Sequence, residues 1–218
     1  MVDKTSDRSV DPASREMLEV CRKAGLETAW DRFEKQQPQC GFGELGLCCR
    51  NCNMGPCRID PFGEGAVKGV CGATADIIVA RNLLRMIAAG AAAHSDHGRG
   101  VAHTFKLMSE GKAPSYQVKD SAKMERLMKE YGVDSQMALA DAVLAEFGKQ
   151  DGPIQFTRRA PAQRVELWKK LGIDPRGIDR EIVEIMHRTH VGVDNDYVHL
   201  ILQGLRASLA DGWGGSMI

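Results

Sequence analysis

The stretch "CGFGELGLCCRNCNMGPCR", residues 40–58, places five cysteines within nineteen positions, two of them adjacent, and a sixth follows at Cys71. Its glycines and its proline interrupt any helical or strand periodicity. The sequence therefore predicts a loop over residues 40–72 that is held together by something other than a hydrophobic core. The closely spaced thiols are the candidates for that role.

The composition narrows what those thiols can do. The chain has 218 residues, enough for one domain or slightly more, and 29 basic against 29 acidic side chains. This zero net charge gives no electrostatic support for a nucleic-acid partner. We find no run of about 18 apolar residues and no secretion signal, so we expect no membrane-spanning segment and a cytoplasmic location. In that reducing compartment, grouped cysteines more often bind metals than form disulfides, and seven is an odd number.

Helix signals dominate the rest of the chain. Asp11-Pro12 is typical of a helix start and Gly25 of its end, and a long helix is predicted from Thr74 to the segment "AAGAAA", residues 88–93. We find no strand with convincing alternation, so the predicted fold class is all-α. Three further glycines mark the ends of later helices: Gly132, Gly148 and Gly172.

The expected organisation has four parts. A flexible N-terminus, residues 1–10, precedes N-terminal helices over residues 11–39. The cysteine- and glycine-rich loop, residues 40–72, follows, and residues 73–218 form a helical domain.

From Cys49 onward the spacing is C-x2-C-x4-C-x13-C, which selects Cys49, Cys52, Cys57 and Cys71. Four thiolates on a glycine-rich loop are the donor set of an iron–sulfur cubane or of a tetrahedral zinc site. All the nearby candidate ligands are cysteines, and the glycines allow backbone N–H groups to approach inorganic sulfide. Both features favour iron and sulfide, while zinc stays open as an alternative.

Cys40 and Cys48 remain outside this set. Two thiolates are half of a four-ligand site, and a two-fold symmetric dimer would bring the other half from its partner. Adjacent cysteines diverge, so Cys48 and Cys49 would face different clusters. Alternatively, Cys40 and Cys48 are ordinary buried thiols. Cys21 lies on the apolar face of the first predicted helix and is expected in the core.

Three histidines occur in "HSDHGRGVAH": His94, His97 and His103. Imidazoles three residues apart are neighbours on one helical face, and they can pass protons because they titrate near neutrality. Surface or helix-end histidines would show the same pattern.

Three segments together resemble one family: "QPQCGFGELGLCCRNCNMGPCRIDPFG", "KGVCGATADIIVARNLLRMIAAGAAAHSDHG" and "GVDND…LADGWGGSMI". They are similar to the N-terminal helical part of anaerobic nickel–iron carbon monoxide dehydrogenases, from about residue 26 onward. The resemblance implies an oxidoreductase, a homodimer that interconverts CO and water with CO2, two protons and two electrons.

The resemblance also implies cofactors and ligands. A 4Fe-4S cubane in each subunit is held by the positions of Cys49, Cys52, Cys57 and Cys71, and a further cluster joins the subunits through Cys40 and Cys48. Some relatives carry a 2Fe-2S cluster at that shared place. The gap between Cys40 and Cys48 resembles that of the 4Fe-4S relatives.

Further roles follow from the same resemblance. His94, His97 and His103 correspond to a proton relay, with His94 nearest the chemistry, although Gly100 stands where the family has another histidine. Electrons would leave to a ferredoxin-like acceptor, and the metabolic partner would be an acetyl-CoA synthase or a hydrogenase.

The chain also departs from the family, whose members are much longer. The ligands of the nickel–iron–sulfur active cluster lie beyond Ile218, so we expect that cluster only in the full-length protein and no CO oxidation by this chain alone. We expect an electron-transfer part followed by the start of an α/β domain that is truncated at the C-terminus. The alternative function is a zinc-stabilised helical interaction domain without redox activity.

Overall fold

The computed structural model describes residues 8–217. The chain divides into two compact units, with the boundary between Leu45 and Gly46. Residues 1–7 of the expected flexible N-terminus, and the final residue of the expected helical domain, lie outside the described residues.

From Pro12 onward, the described part of the first unit contains the helices α1 (Pro12–Lys23), α2 (Ala29–Lys35) and α3 (Gly41–Glu44). The start of α1 is as predicted, because the Asp11 side chain accepts a hydrogen bond from the Ser14 N–H and proline occupies the first turn. None of the residues in these three helices is buried. Cys21, expected in the core, is therefore only half-buried, in a surface depression that Leu18 and Trp30 also line.

The second unit is mostly helical, which confirms the helical part of the predicted fold class. Its elements are β1 (Cys48–Cys49), β2 (Cys57–Arg58), α4 (Ala75–Ser109), α5 (Ser121–Tyr131), α6 (Gln136–Phe147), α7 (Gln155–Arg159), α8 (Ala162–Leu171), α9 (Ile178–Arg188) and α10 (Tyr197–Met217). Gly132 and Gly172 end α5 and α8 in the left-handed conformation, and Gly148 caps α6.

The strands β1 and β2 correct the strictly all-α prediction. They pair antiparallel, with Cys48 opposite Arg58 and Cys49 opposite Cys57. Each strand is only two residues long. Alternation of apolar and polar side chains cannot be recognised over two residues, so the sequence pattern could not reveal this sheet.

Helix α4 also differs from the prediction, because it runs 35 residues to Ser109 instead of ending within residues 88–93. Alanine is the best helix former, and the single Gly90 costs only about 1 kcal/mol. Ala88 and Ala91 are buried. The small side chains that suggested an end are therefore a close packing surface within the helix.

The expected start of an α/β domain near the C-terminus is not confirmed. Residues 197–217 form the single helix α10, which packs along α4. Two of the glycines near its end, Gly214 and Gly215, lie against other side chains: a Cβ at Gly214 would meet Ile178 at 3.0 Å, and one at Gly215 would meet His94 at 3.6 Å.

Helix α4 is the centre of the second unit and packs against α10, α9 and α6. Phe147 and Trp213 meet in the core with ring centroids 4.7 Å apart. Within the described residues, α4 is the one helix long and apolar enough to cross a membrane by those two criteria. Buried core helices meet the same criteria, and the expectation of no membrane-spanning segment stays a prediction.

Candidate metal centre

Four of the predicted ligand cysteines line one cavity: Cys49, Cys52, Cys57 and Cys71. Three separate pieces of chain supply them, namely β1 with its following turn, β2, and the turn before α4. The cavity is also lined by Asn51, Arg81 and Val191. Residues far apart in the sequence therefore meet around the thiols.

The short sheet positions two of these thiols. Cys49 and Cys57 are directly opposite each other in the ladder, so their side chains share one face. The turn between them needs glycine, since a Cβ at Gly55 would lie 2.9 Å from the Cys49 carbonyl oxygen. The sheet and its glycine thus bring two ligands into the cavity at a fixed spacing.

The same ladder separates the adjacent cysteines. Successive strand residues point to opposite faces, so Cys48 faces away from the side of Cys49. Cys49 is buried and lines the cavity, whereas Cys48 is half-buried and is not among the lining residues. The Asn82 side chain donates to the carbonyl oxygens of Gly46 and Cys48 at 3.0 and 3.1 Å, which ties β1 to α4.

Hydrogen bonds reach the sulfur atoms themselves. The Val70 N–H donates to Cys57 Sγ at 3.4 Å. Burial acts to raise the pKa of Cys71, but the Ala73 N–H and the Arg81 guanidinium outweigh it, and the pKa of this thiol is lowered from its usual value. This lowered pKa makes it easier for Cys71 to lose its proton than for an ordinary thiol, and the thiolate is the form that binds metals.

Arg81 is the most unusual residue of the site, because a charged side chain is only 1% exposed. Its Nη1 lies 3.7 Å from Cys71 Sγ, and its Nη2 donates to the Asp194 carbonyl oxygen and to Asn195 Oδ1. Sequence reasoning missed this residue, since Asp194 and Asn195, which hold its guanidinium, are more than a hundred positions away and no local pattern marks them.

The donor set fits a thiolate-bound cluster. Within residues 8–217, no three His, Cys, Asp or Glu side chains are grouped as one metal ion requires. The four thiols line one cavity, and four cysteine thiolates are the ligands that an iron–sulfur cubane requires. Four cysteine thiolates are also the ligand set of a structural zinc ion, so the zinc alternative stays open.

The remaining predicted cysteines lie elsewhere. Cys40 is exposed and immediately precedes α3 in the first unit. Cys48 belongs to the second unit.

The three predicted histidines, His94, His97 and His103, all lie within α4 and are exposed. His94 Nδ1 lies 2.7 Å from Asp211 Oδ1 on α10. Gly100, which lies between His97 and His103 in the sequence, faces open space. The partnership with Asp211 was not predicted, because it joins two elements that are distant in the sequence.

Fold and site together define a mostly helical protein whose four-cysteine cavity is of the kind that holds a thiolate-bound metal centre. The model of the Prismane/CO dehydrogenase family matches residues 47–218, and the chain therefore belongs to this family.

Individual relatives agree. The chain is 68% identical to carbon monoxide dehydrogenase 1 of Methanosarcina mazei, an alignment that covers 97% of this chain and 35% of that protein. It is 50% identical to carbon monoxide dehydrogenase 1 of Carboxydothermus hydrogenoformans, covering 93% of this chain and 34% of the relative.

Solved structures are also similar. The Ni-free carbon monoxide dehydrogenase from Thermococcus sp. AM4 superposes with a TM-score of 0.89 at 52% identity, covering all of this chain and 35% of that one. An acetyl-CoA synthase/carbon monoxide dehydrogenase, described with NiZn[Fe4S4] and NiNi[Fe4S4] clusters, gives a TM-score of 0.87 at 40% identity, covering 100% of this chain and 34% of that one. The chain thus spans about a third of the length of the relatives it matches.

Proposed function

We propose that this chain is the iron–sulfur electron-transfer part of an anaerobic carbon monoxide dehydrogenase. The observation that carries the proposal is the single cavity lined by Cys49, Cys52, Cys57 and Cys71. It lies within the segment that the family model matches. In the whole protein, the reaction would be CO and water to CO2, two protons and two electrons.

The chain's own residues would prepare the site for a 4Fe-4S cubane. Four thiolates would bind it, and the Val70 N–H, which already donates to Cys57 Sγ, would withdraw charge from one ligand. The Gly55 turn keeps the ligand-bearing strands close enough to share one cluster. A cubane held there would accept and release one electron at a time.

A second cluster would lie between two copies of the chain, bound by Cys40 and Cys48 of each. Support comes from β1, in which Cys48 faces away from the side of Cys49. Cys48 is therefore free of the first cavity, and a homodimer would supply the two missing thiolates. We propose a 4Fe-4S cluster there, as expected from the sequence.

His94, His97 and His103 would carry protons in the full-length enzyme. The contact between His94 and Asp211 supports this role for His94, because a carboxylate acceptor fixes both the ring orientation and the tautomer. His97 and His103 lie farther along the same helix. The nickel–iron–sulfur cluster would belong to the part of the protein outside this chain.

The electron acceptor would be a ferredoxin-like protein in the cytoplasm. Acetyl-CoA synthase is one candidate metabolic partner. One similar protein is named carbon monoxide dehydrogenase/acetyl-CoA synthase subunit beta, from Moorella thermoacetica, and one similar solved structure is of an acetyl-CoA synthase/carbon monoxide dehydrogenase. A hydrogenase is the other candidate partner.

Anaerobic purification tests the proposal. We expect a brown protein whose iron and acid-labile sulfide are present in equal amounts and whose colour bleaches on reduction with dithionite. A matched sample of the quadruple variant with Cys49, Cys52, Cys57 and Cys71 all changed to serine should lose the cubane. A colourless wild-type protein with stoichiometric zinc and no sulfide would instead support a zinc-stabilised helical interaction domain.

A further inference from the structure

Two residues that carry buried nitrogen donors line the cysteine cavity in addition to the four thiols. They are Arg81 and Asn51, and the described residues leave one nitrogen of each without a hydrogen-bond partner: Arg81 Nε and Asn51 Nδ2. Unpartnered buried donors are rare in folded proteins, because a buried N–H without an acceptor loses its hydrogen bonds to water and gains none in return. Their shared position suggests an acceptor inside the cavity.

We propose that Arg81 and Asn51 set the reduction potential of the cluster bound at this cavity, with Arg81 as the main contributor. The inference rests on the proposed function, since it assumes that the four thiols hold a cubane. Neither residue is a ligand. Both act through the sulfur atoms of the cluster and its ligands.

The contacts of Arg81 explain how the charge is held in place. Nη2 is bound to the Asp194 carbonyl oxygen at 3.0 Å and to Asn195 Oδ1 at 2.9 Å, both neutral acceptors. Nη1 lies beside Cys71 Sγ. None of these acceptors is a carboxylate, so no negative side chain in this set of hydrogen bonds offsets the positive charge that Arg81 places beside the Cys71 thiol.

Reducing a cubane adds one negative charge to it. A buried cation stabilises the reduced form more than the oxidised form, because the attraction acts through a medium of lower dielectric constant than water. Hydrogen bonds to cluster sulfur act in the same direction. Arg81 and Asn51 should therefore both raise the potential, Arg81 by charge and hydrogen bonding and Asn51 by hydrogen bonding alone.

The same contacts give the segment around residues 191–195 a role. This segment begins after α9, and its Val191 lines the cavity. By fixing the Arg81 fork, the Asp194 carbonyl and the Asn195 side chain hold the charge at a constant distance from Cys71.

A purely structural role for Arg81 makes a different prediction. Arg85, one turn farther along α4, also joins α4 to the end of α9, through a 2.9 Å hydrogen bond from Nε to Thr189 Oγ1, but it does not line the cavity. Arg85→Gln is therefore the matched control. Arg85 is also an arginine on α4 with a hydrogen bond to the end of α9, but it makes no contact with the ligand thiols.

The experiment is an anaerobic redox titration of the protein with dithionite as electron donor, followed by the EPR signal of the reduced cluster. Iron, sulfide and helix content are measured in parallel for each variant. For Arg81→Gln we expect the equilibrium constant for one-electron reduction to fall at least about tenfold, which is about 59 mV for one electron. Arg81→Lys should recover part of this shift, Asn51→Ala should show a smaller shift of the same sign, and Arg85→Gln should show none.

The outcomes separate the inference from the proposed function. A wild-type protein without iron and sulfide overturns the proposed function. A wild-type cluster whose potential is unchanged in a fully loaded Arg81→Gln variant overturns the inference alone. If Arg81→Gln does not hold its cluster, Arg81→Lys and Asn51→Ala decide, and wild-type potentials in both overturn the inference.

Discussion

His94 Nδ1 lies 2.7 Å from Asp211 Oδ1, so one hydrogen bond links the middle of α4 to the end of α10. An ionised carboxylate can only accept, which makes Nδ1 the donor and leaves Nε2 as the nitrogen that can exchange a proton with another group. The two helices it joins form the centre of the second unit.

If His94 is a relay residue, His94→Ala in the full-length enzyme should slow CO oxidation about 100-fold or more while iron content stays unchanged, since general acid–base steps are worth at least that much. Asp211→Ala should cause a smaller loss, because the imidazole remains but can rotate. Steady-state turnover with metal analysis measures both. His187→Ala, at an exposed position on α9, is the control, and undiminished turnover in His94→Ala would mean that His94 is a surface residue without a catalytic role.

The two cysteine sets should differ in stoichiometry. Cys48→Ala should remove iron equivalent to one cluster per two chains. It should also weaken the dimer, because the free energy of cluster binding at a site shared by two chains contributes to the free energy of their association. Cys52→Ala should remove one cluster per chain and leave the dimer. Iron analysis and light scattering under anaerobic conditions distinguish the two variants. Loss of a full cluster per chain in Cys48→Ala would assign Cys48 to the first cavity.

Glu181 is a buried carboxylate on which the second unit depends. It is 0% exposed, and it accepts from Arg176 Nε and Nη2 at 2.8 and 2.9 Å and from Gln203 Nε2 at 2.8 Å. Glu181→Ala would leave Arg176 and its neighbour Arg206 without their buried partner, so we expect a loss of about 3–5 kcal/mol in the free energy of unfolding. Urea denaturation measures it.

The control for Glu181 is a surface ion pair. Lys106 and Asp141 lie 2.6 Å apart, with side chains 32% and 55% exposed. Asp141→Ala should therefore cost no more than about 1 kcal/mol. Equal losses in the two variants would contradict the importance of the buried network.

Two glycines on α4 should respond oppositely to alanine. At Gly98 a Cβ would come within 2.8 Å of Phe147 Cζ, whereas at Gly100 it would meet nothing within 4 Å. Gly98→Ala should destabilise by about 1–3 kcal/mol through overpacking, and Gly100→Ala should stabilise by up to about 1 kcal/mol through helix propensity. Thermal unfolding compares them directly, and a stabilised Gly98→Ala would show that the core can absorb the added methyl group.

The helix ends that the sequence predicted correctly are those determined by residues close to one another in the chain. The Asp11-Pro12 cap and the left-handed glycines at the ends of α5 and α8 require only local chemistry. The end of α4 depended instead on which surface Ala88 and Ala91 pack against. No local pattern carries that information.

The site divides in the same way. Cysteine spacing identified the four thiols of the cavity, because all four lie within residues 49–71 and their spacing can be read directly from the sequence. The partners of Arg81 and His94 are set by helices that meet only in the folded chain, and both had to be found in the structure.

Arg81 and His94 lie on the same uninterrupted helix, separated by about 20 Å of axial rise at 1.5 Å per residue. The spacing between the cysteine cavity and the histidines is therefore fixed by the covalent geometry of one helix. Changes in the surface loops leave that spacing untouched. Inserting a single residue between Arg81 and His94 would lengthen it only slightly, but would turn the histidine by about 100° around the helix axis, away from Asp211.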